Sequence, residues 1–296
     1  MTYRYRLLNV FAETKFGGNP LCVFEQAAGL STEEMQAIAL QFNLSETVFL
    51  LPSIVAHAKI RIFTPNAELP FAGHPSVGAA QVVSSMANGI THLTLECDAG
   101  IVALHRDRNQ WSLSPPVLVS KNADYQTMLR PVECNPKELA DILGINLKDL
   151  SDDIVWVNTG NEHLMIPVRS AEIVQSARIA SHRLNDWPVS KLGRQNAYVF
   201  SLGGEEEGVK KVKARYWFAK AGSLAEDPAT GSAAANLGAW WIARGLSLPQ
   251  SFMITQGAEM QRPSRLYLNV ELDADQVPRI QVGGSVIEIG SGMLHL

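Results

Sequence analysis

Strand-like runs of apolar residues alternate with helical stretches along the first half of the chain. This predicts strands near 3–10, 21–25, 47–51, 58–64, 92–97, 101–106 and 110–114. Two stretches break the strand pattern with helical spacing. The first opens on Ser31-Thr-Glu-Glu34, a capping-box pattern, and continues with Met35, Ile38, Ala39 and Phe42, so one apolar stripe covers a sheet. The second starts near His74-Pro75 and runs to about residue 87 through Val77, Gly78, Ala79 and Ala80. Small or apolar residues surround it completely, so it has no face to offer water and belongs inside a curved sheet.

Prolines at 115 and 116 and the polar stretch 120–126 end the strand pattern, which places a linker near residues 115–126 and two domains at about 1–118 and 119–296. The last strand could return to the first domain. Beyond the linker, Asn135-Pro136-Lys137-Glu138 supplies an N-cap, a first-turn proline and a capping-box glutamate, and Gly144 ends that helix. Strands follow near 154–157, 163–168, 197–202, 212–218, 252–255, 266–272 and 279–289. Between them, a helix over 231–243 carries Leu237, Gly238, Trp240 and Trp241 and is again apolar all round.

The two internal helices sit in matching contexts. Arg61-Ile-Phe-Thr-Pro65 followed by Glu68-Leu-Pro-Phe-Ala-Gly-His74 parallels Arg215-Tyr-Trp-Phe-Ala219 followed by Glu226-Asp-Pro-Ala-Thr-Gly-Ser232, with a longer loop in the second copy. Each half reads strand, turn, glycine, small-residue helix. The expected fold class is α/β (α+β), with two pseudo-symmetric domains, each a curved mixed half-barrel around a buried helix.

A length of 296 residues suits two such domains, and 46% hydrophobic with 18% charged residues is a globular composition. The net charge of −4 and the lack of a Lys/Arg stripe argue against nucleic acid as a partner. No apolar run is long enough to span a bilayer and no signal peptide is visible, so the expected location is cytoplasmic, away from membranes. Cys22, Cys97 and Cys134 are odd in number and widely spaced, and the histidines lack ligand spacing, so neither disulfides nor a metal site is expected. No phosphate loop, dinucleotide fingerprint or nucleophile elbow occurs, and no cofactor is expected.

Candidate chemistry gathers at the helix starts. Gly73 and Gly231 precede helices whose first N–H groups lack internal partners, and such starts hold anions, a small carboxylate above all. Glycines also serve tight turns, and that reading competes. Glu46 stands before the apolar strand 47–51, where partial desolvation favours a protonated carboxyl suited to acid–base work; a strand-end glutamate in solvent is the alternative. His74 could shuttle a proton or cap its turn. Asp227 before Pro228 could join the chemistry or act as an N-cap. Ser232, His74 and Asp227 could be imagined as a hydrolase triad, but without a nucleophile elbow nothing supports it.

At Phe16-Gly-Gly-Asn-Pro20, Leu44-Ser-Glu-Thr-Val-Phe49, Arg61-Ile-Phe-Thr-Pro65, Glu68-Leu-Pro-Phe-Ala-Gly-His-Pro75 and Glu226-Asp-Pro-Ala-Thr-Gly-Ser-Ala233 the chain resembles the PhzF-like phenazine-biosynthesis family, of diaminopimelate-epimerase-like fold. The resemblance implies that Glu46 is the general acid/base, that His74, Asp227 and Ser232 line the site, and that Gly73 and Gly231 form carboxylate-binding turns. Asn19 corresponds to a pocket position. It also implies a homodimer. Where epimerases of this fold carry a cysteine before each glycine, this chain has Ala72 and Thr230, so two-cysteine racemisation gives way to one carboxyl moving a proton within a molecule. The expected function is a cofactor-independent isomerase of a small unsaturated or cyclic carboxylic acid. The rival is a non-catalytic carboxylate-binding or regulatory protein.

Overall fold

A computed structural model describes residues 1–116, 124–220 and 222–296. The expected linker near 115–126 falls mostly outside them. The chain divides into two compact units, Met1–Pro116 with Gln281–Leu296, and Val117–Ile280.

The first unit contains β1 (Thr2–Val10), β2 (Asn19–Phe24), α1 (Thr32–Phe42), β3 (Glu46–Leu51), β4 (Ala58–Phe63), β5 (Glu68–Leu69), α2 (Gly73–Met86), β6 (His92–Cys97), β7 (Gly100–Asp107) and β8 (Gln110–Leu113). The capping box forms as expected: Ser31 Oγ accepts from the Glu34 N–H at 3.2 Å, and Glu34 Oε2 accepts from the Ser31 N–H at 2.8 Å. It starts α1, which buries Met35, Ile38 and Ala39 in a cluster with Phe24 and Phe49. Crossing by α1 makes β3 parallel to β2, while β1, β4, β7 and β8 pair antiparallel with their sequence neighbours. The start of β4 pairs parallel with β6, and its end forms a hairpin with β5. The final strand returns to pair with both β8 and β1.

Helix α2 packs against β1, β2, β3, β4, β6 and β8 and is buried continuously from His74 to Ala80. Such encirclement demands a thin helix. At Gly78 an added Cβ would stand 2.3 Å from Leu21 Cδ2 and 3.0 Å from Val10 Cγ2, so the backbone approaches the sheet as only glycine permits.

The second unit contains β9 (Leu129–Pro131), α3 (Pro136–Leu143), β10 (Val155–Asn158), β11 (Glu162–Pro167), α4 (Ala171–Ser176), β12 (Asn196–Glu206), β13 (Val209–Lys220), β14 (Ser223–Asp227), α5 (Gly231–Ala243), β15 (Gln250–Gln256) and β16 (Ser264–Leu272). Then β17 (Pro278–His295) begins here and carries the chain back to the first unit. Asn135 caps α3 by accepting from the Lys137 N–H, and Gly144 ends it at φ 66°. Here β12 is parallel to β11 and antiparallel to β13, whose start pairs parallel with β15 and whose end forms a hairpin with β14. Helix α5 is buried from Ala233 to Trp241.

The repeat extends to strand register. Ile62 faces Leu69 and Phe63 faces Glu68; correspondingly, Tyr216 faces Asp227 and Trp217 faces Glu226. On one sheet face Arg61 donates to both Glu68 oxygens at 2.7 Å and stacks over Phe63, and Arg215 donates to both Glu226 oxygens at 2.8 Å and stacks over Trp217. A fork-to-fork ion pair occurring in both copies is a device of the fold.

Candidate active site

In the first unit β2, β3 and α2 bring their ends together. The parallel pairing of β2 with β3 sets Leu21 opposite Glu46, so Asn19 and Pro20 lie just before the carboxyl-bearing position. Asn19 begins β2 and is fully enclosed, at 1% exposure. Glu46 Oε2 lies 3.3 Å from His74 Nε2, with the glutamate side chain 17% exposed and the histidine 8%. The solvent-facing alternative for Glu46 is thereby set aside.

His74 is the second residue of α2 and does not cap it. Burial drives its pKa down to about 3, against a smaller opposing effect of a hydrogen bond to the Pro20 backbone. The ring is therefore neutral near pH 7. Since Nε2 makes no hydrogen bond, Nδ1–H is the atom that donates to Pro20, and Nε2 presents a lone pair to Glu46. The contact lacks hydrogen-bond geometry as it stands, and it becomes one when Glu46 carries the proton and turns it toward the ring.

Neither helix start is capped by a side chain. For α2 the reason is compositional, because the N-cap is Ala72. For α5 the N-cap is Thr230, whose hydroxyl is already committed, donating to Asp227 Oδ2 at 2.5 Å. Gln256, 1% exposed, fixes that arrangement by donating to the Asp227 carbonyl at 2.8 Å and the Thr230 hydroxyl at 3.0 Å. Thus Asp227 ends β14 and does not cap α5, which corrects the capping alternative. Gly231 and Ser232 are the first two residues of α5 and half-buried.

Gly73 tests the tight-turn reading directly. Its φ lies outside the left-handed region, and a Cβ built there would meet nothing within 4 Å. The protein's own packing does not require glycine at 73. The open space leaves the α2 N–H groups approachable.

Sequence reasoning missed the Pro20 carbonyl, Thr230 and Gln256. A main-chain acceptor has no residue signature, and Gln256 reaches Asp227 and Thr230 only because β15 returns beside β13.

Residues 8–292 match a sequence model of the phenazine biosynthesis-like family, named PhzC-PhzF. An uncharacterized isomerase of Pasteurella multocida is 40% identical over 99% of this chain and 94% of its own length. The trans-2,3-dihydro-3-hydroxyanthranilate isomerase of Pseudomonas chlororaphis is 33% identical over 99% of this chain and 100% of its own. In fold, the chain is similar to a PhzF-family phenazine biosynthesis protein of Bacillus anthracis, with TM-score 0.83, 22% identity and 100% of both chains covered. With a match of this extent, the chain belongs to the phenazine biosynthesis-like family, in which the named relatives are isomerases.

Proposed function

We propose that the protein is a proton-transfer isomerase of a small unsaturated or cyclic carboxylic acid, in which Glu46 takes a proton from one carbon and returns it to another. The observation that carries this reading is the 3.3 Å contact between Glu46 and a histidine whose other nitrogen is already committed. A neutral imidazole lone pair accepts from the carboxyl once Glu46 carries a proton. The proton that Glu46 takes from one carbon is thereby held in place for return to another. His74 acts as its orienting partner, since a ring that ionises only near pH 3 carries no charge in neutral solution.

Anion binding is assigned to the uncapped start of α2, the N–H groups of Gly73 and His74; in the second unit Gly231 and Ser232 present an equivalent uncapped start of α5. Asp227, held by Thr230, offers an acceptor oxygen for a ligand hydroxyl or amine. Asn19 adds a polar wall beside Pro20. The compound named for the Pseudomonas chlororaphis relative, trans-2,3-dihydro-3-hydroxyanthranilate, is the first substrate to try. Glu46→Gln preserves shape and removes the titratable group. Turnover should fall by about 10² or more, with ligand affinity nearly unchanged. A Glu46→Gln variant as active as the wild type would reject Glu46 as the acid–base.

A further inference from the structure

The two repeats share their strand register, so a position that is apolar in one and polar in the other marks something the fold itself does not require. Opposite residues of an antiparallel pair project on the same sheet face. On the face away from the Arg–Glu pairs, the first unit carries Ile62 opposite Leu69, and the second carries Tyr216 opposite Asp227. A β-hairpin of this shape therefore folds with two aliphatic residues there, and the second copy has exchanged both for hydrogen-bonding groups.

Tyr216 is held rigidly. Its ring meets His163 edge-on with centroids 5.1 Å apart and stacks on Phe218 at 6.0 Å. His163 is itself fixed by Asn236 of α5, whose amide nitrogen lies 3.0 Å from His163 Nδ1. The tyrosine is only half-buried, and among the described residues its hydroxyl donates to no other group. Burial, then the charge of Asp227, push its pKa upward, so the phenol stays protonated and is a donor at any physiological pH. Beside it, Asp227 takes the Thr230 hydroxyl on Oδ2. The second unit thus sets a fixed neutral donor next to a carboxylate acceptor, a few residues before an uncapped helix start.

We propose that Tyr216 is a ligand-binding, specificity-determining residue: its hydroxyl donates to an oxygen substituent of the bound acid while Asp227 accepts from the same or a neighbouring hydroxyl or amino group. The pair selects carboxylic acids bearing such a substituent over unsubstituted ones. This rests on the carboxylate-binding reading above and extends it.

Anthranilate and 3-hydroxyanthranilate, which differ only in one hydroxyl, serve as probes in calorimetric titrations of the full chain. The wild type is expected to bind the hydroxylated probe about five- to tenfold more tightly, the scale of one neutral hydrogen bond. Tyr216→Phe keeps the ring against His163 and should bring that ratio close to one, leaving anthranilate affinity within about twofold. Tyr216→Ile, which installs the residue of the first repeat, should do the same. Tyr216→Phe retaining the wild-type ratio, or weakening both probes equally, overturns the proposal while the carboxylate reading stands. Failure of the wild type to bind either probe refutes the carboxylate reading, and the proposal with it.

Discussion

Gly73 and His74 are adjacent residues with opposite demands, one needed for the space it leaves and the other for the bulk it buries. Because a Cβ at 73 meets no neighbour within 4 Å, Gly73→Ala should fold with wild-type stability or slightly better, alanine being the stronger helix former. Its methyl would occupy the approach to the α2 N–H groups, so affinity for a carboxylate such as anthranilate should fall tenfold or more. A Gly73→Ala protein that is destabilised yet binds normally would restore the turn reading. His74 and His163 set a pH dependence. Burial holds both folded pKa values near 3, against an ordinary 6.5. Between those values the unfolded chain binds more protons than the folded one, so stability is complete above about pH 6.5 and declines as pH falls toward 3. Each ring should cost roughly 1 kcal/mol at pH 5.5. Urea unfolding at pH 7.5 and 5.5 measures the loss, and His163→Gln should remove about half of it. An unchanged pH slope in that variant would contradict the assignment.

The central helices are the most legible elements, since Val77-Gly-Ala-Ala80 and Ala233-Ala-Ala-Asn236 leave no polar stripe for water and both segments lie buried. Capping signals locate α1 and α3 because they are local: Ser31 with Glu34, and Asn135 with Pro136 and Gly144. Elements whose stability is entirely tertiary leave no such mark. The hairpin partners β5 and β14 span too few residues to show a period, and they exist because β4 and β13 present an edge to them. The same holds for the candidate residues of each unit. Glu46 and His74 can be named separately from the sequence, but their 3.3 Å approach comes from the parallel β2–β3 pairing and the α2 start, and Tyr216 gives no signal until the register of its repeat is known. Packing around α2 yields a sharp expectation. Gly78→Ala pushes a methyl into Leu21, with 2.3 Å available, and should cost about 1–3 kcal/mol by overpacking, read as a lower urea midpoint at unchanged slope. Wild-type stability in that variant would mean the helix is not encircled as described.

As a whole, the molecule is one design used twice and then made asymmetric. Both units keep the Arg–Glu fork, the mixed sheet and the small-residue helix, whereas Glu46 and His74 occur only in the first and Tyr216 with Asp227 only in the second. The central claim is that Glu46 moves a proton between carbons of one substrate molecule. NMR of trans-2,3-dihydro-3-hydroxyanthranilate, incubated with the protein in heavy water, tests it most directly. The account predicts an isomerised product, carrying solvent deuterium at the protonated carbon unless the enclosed carboxyl returns the same proton before it exchanges, and formed at least about 10²-fold more slowly by Glu46→Gln. Equal rates and equal labelling by wild type and Glu46→Gln would contradict it.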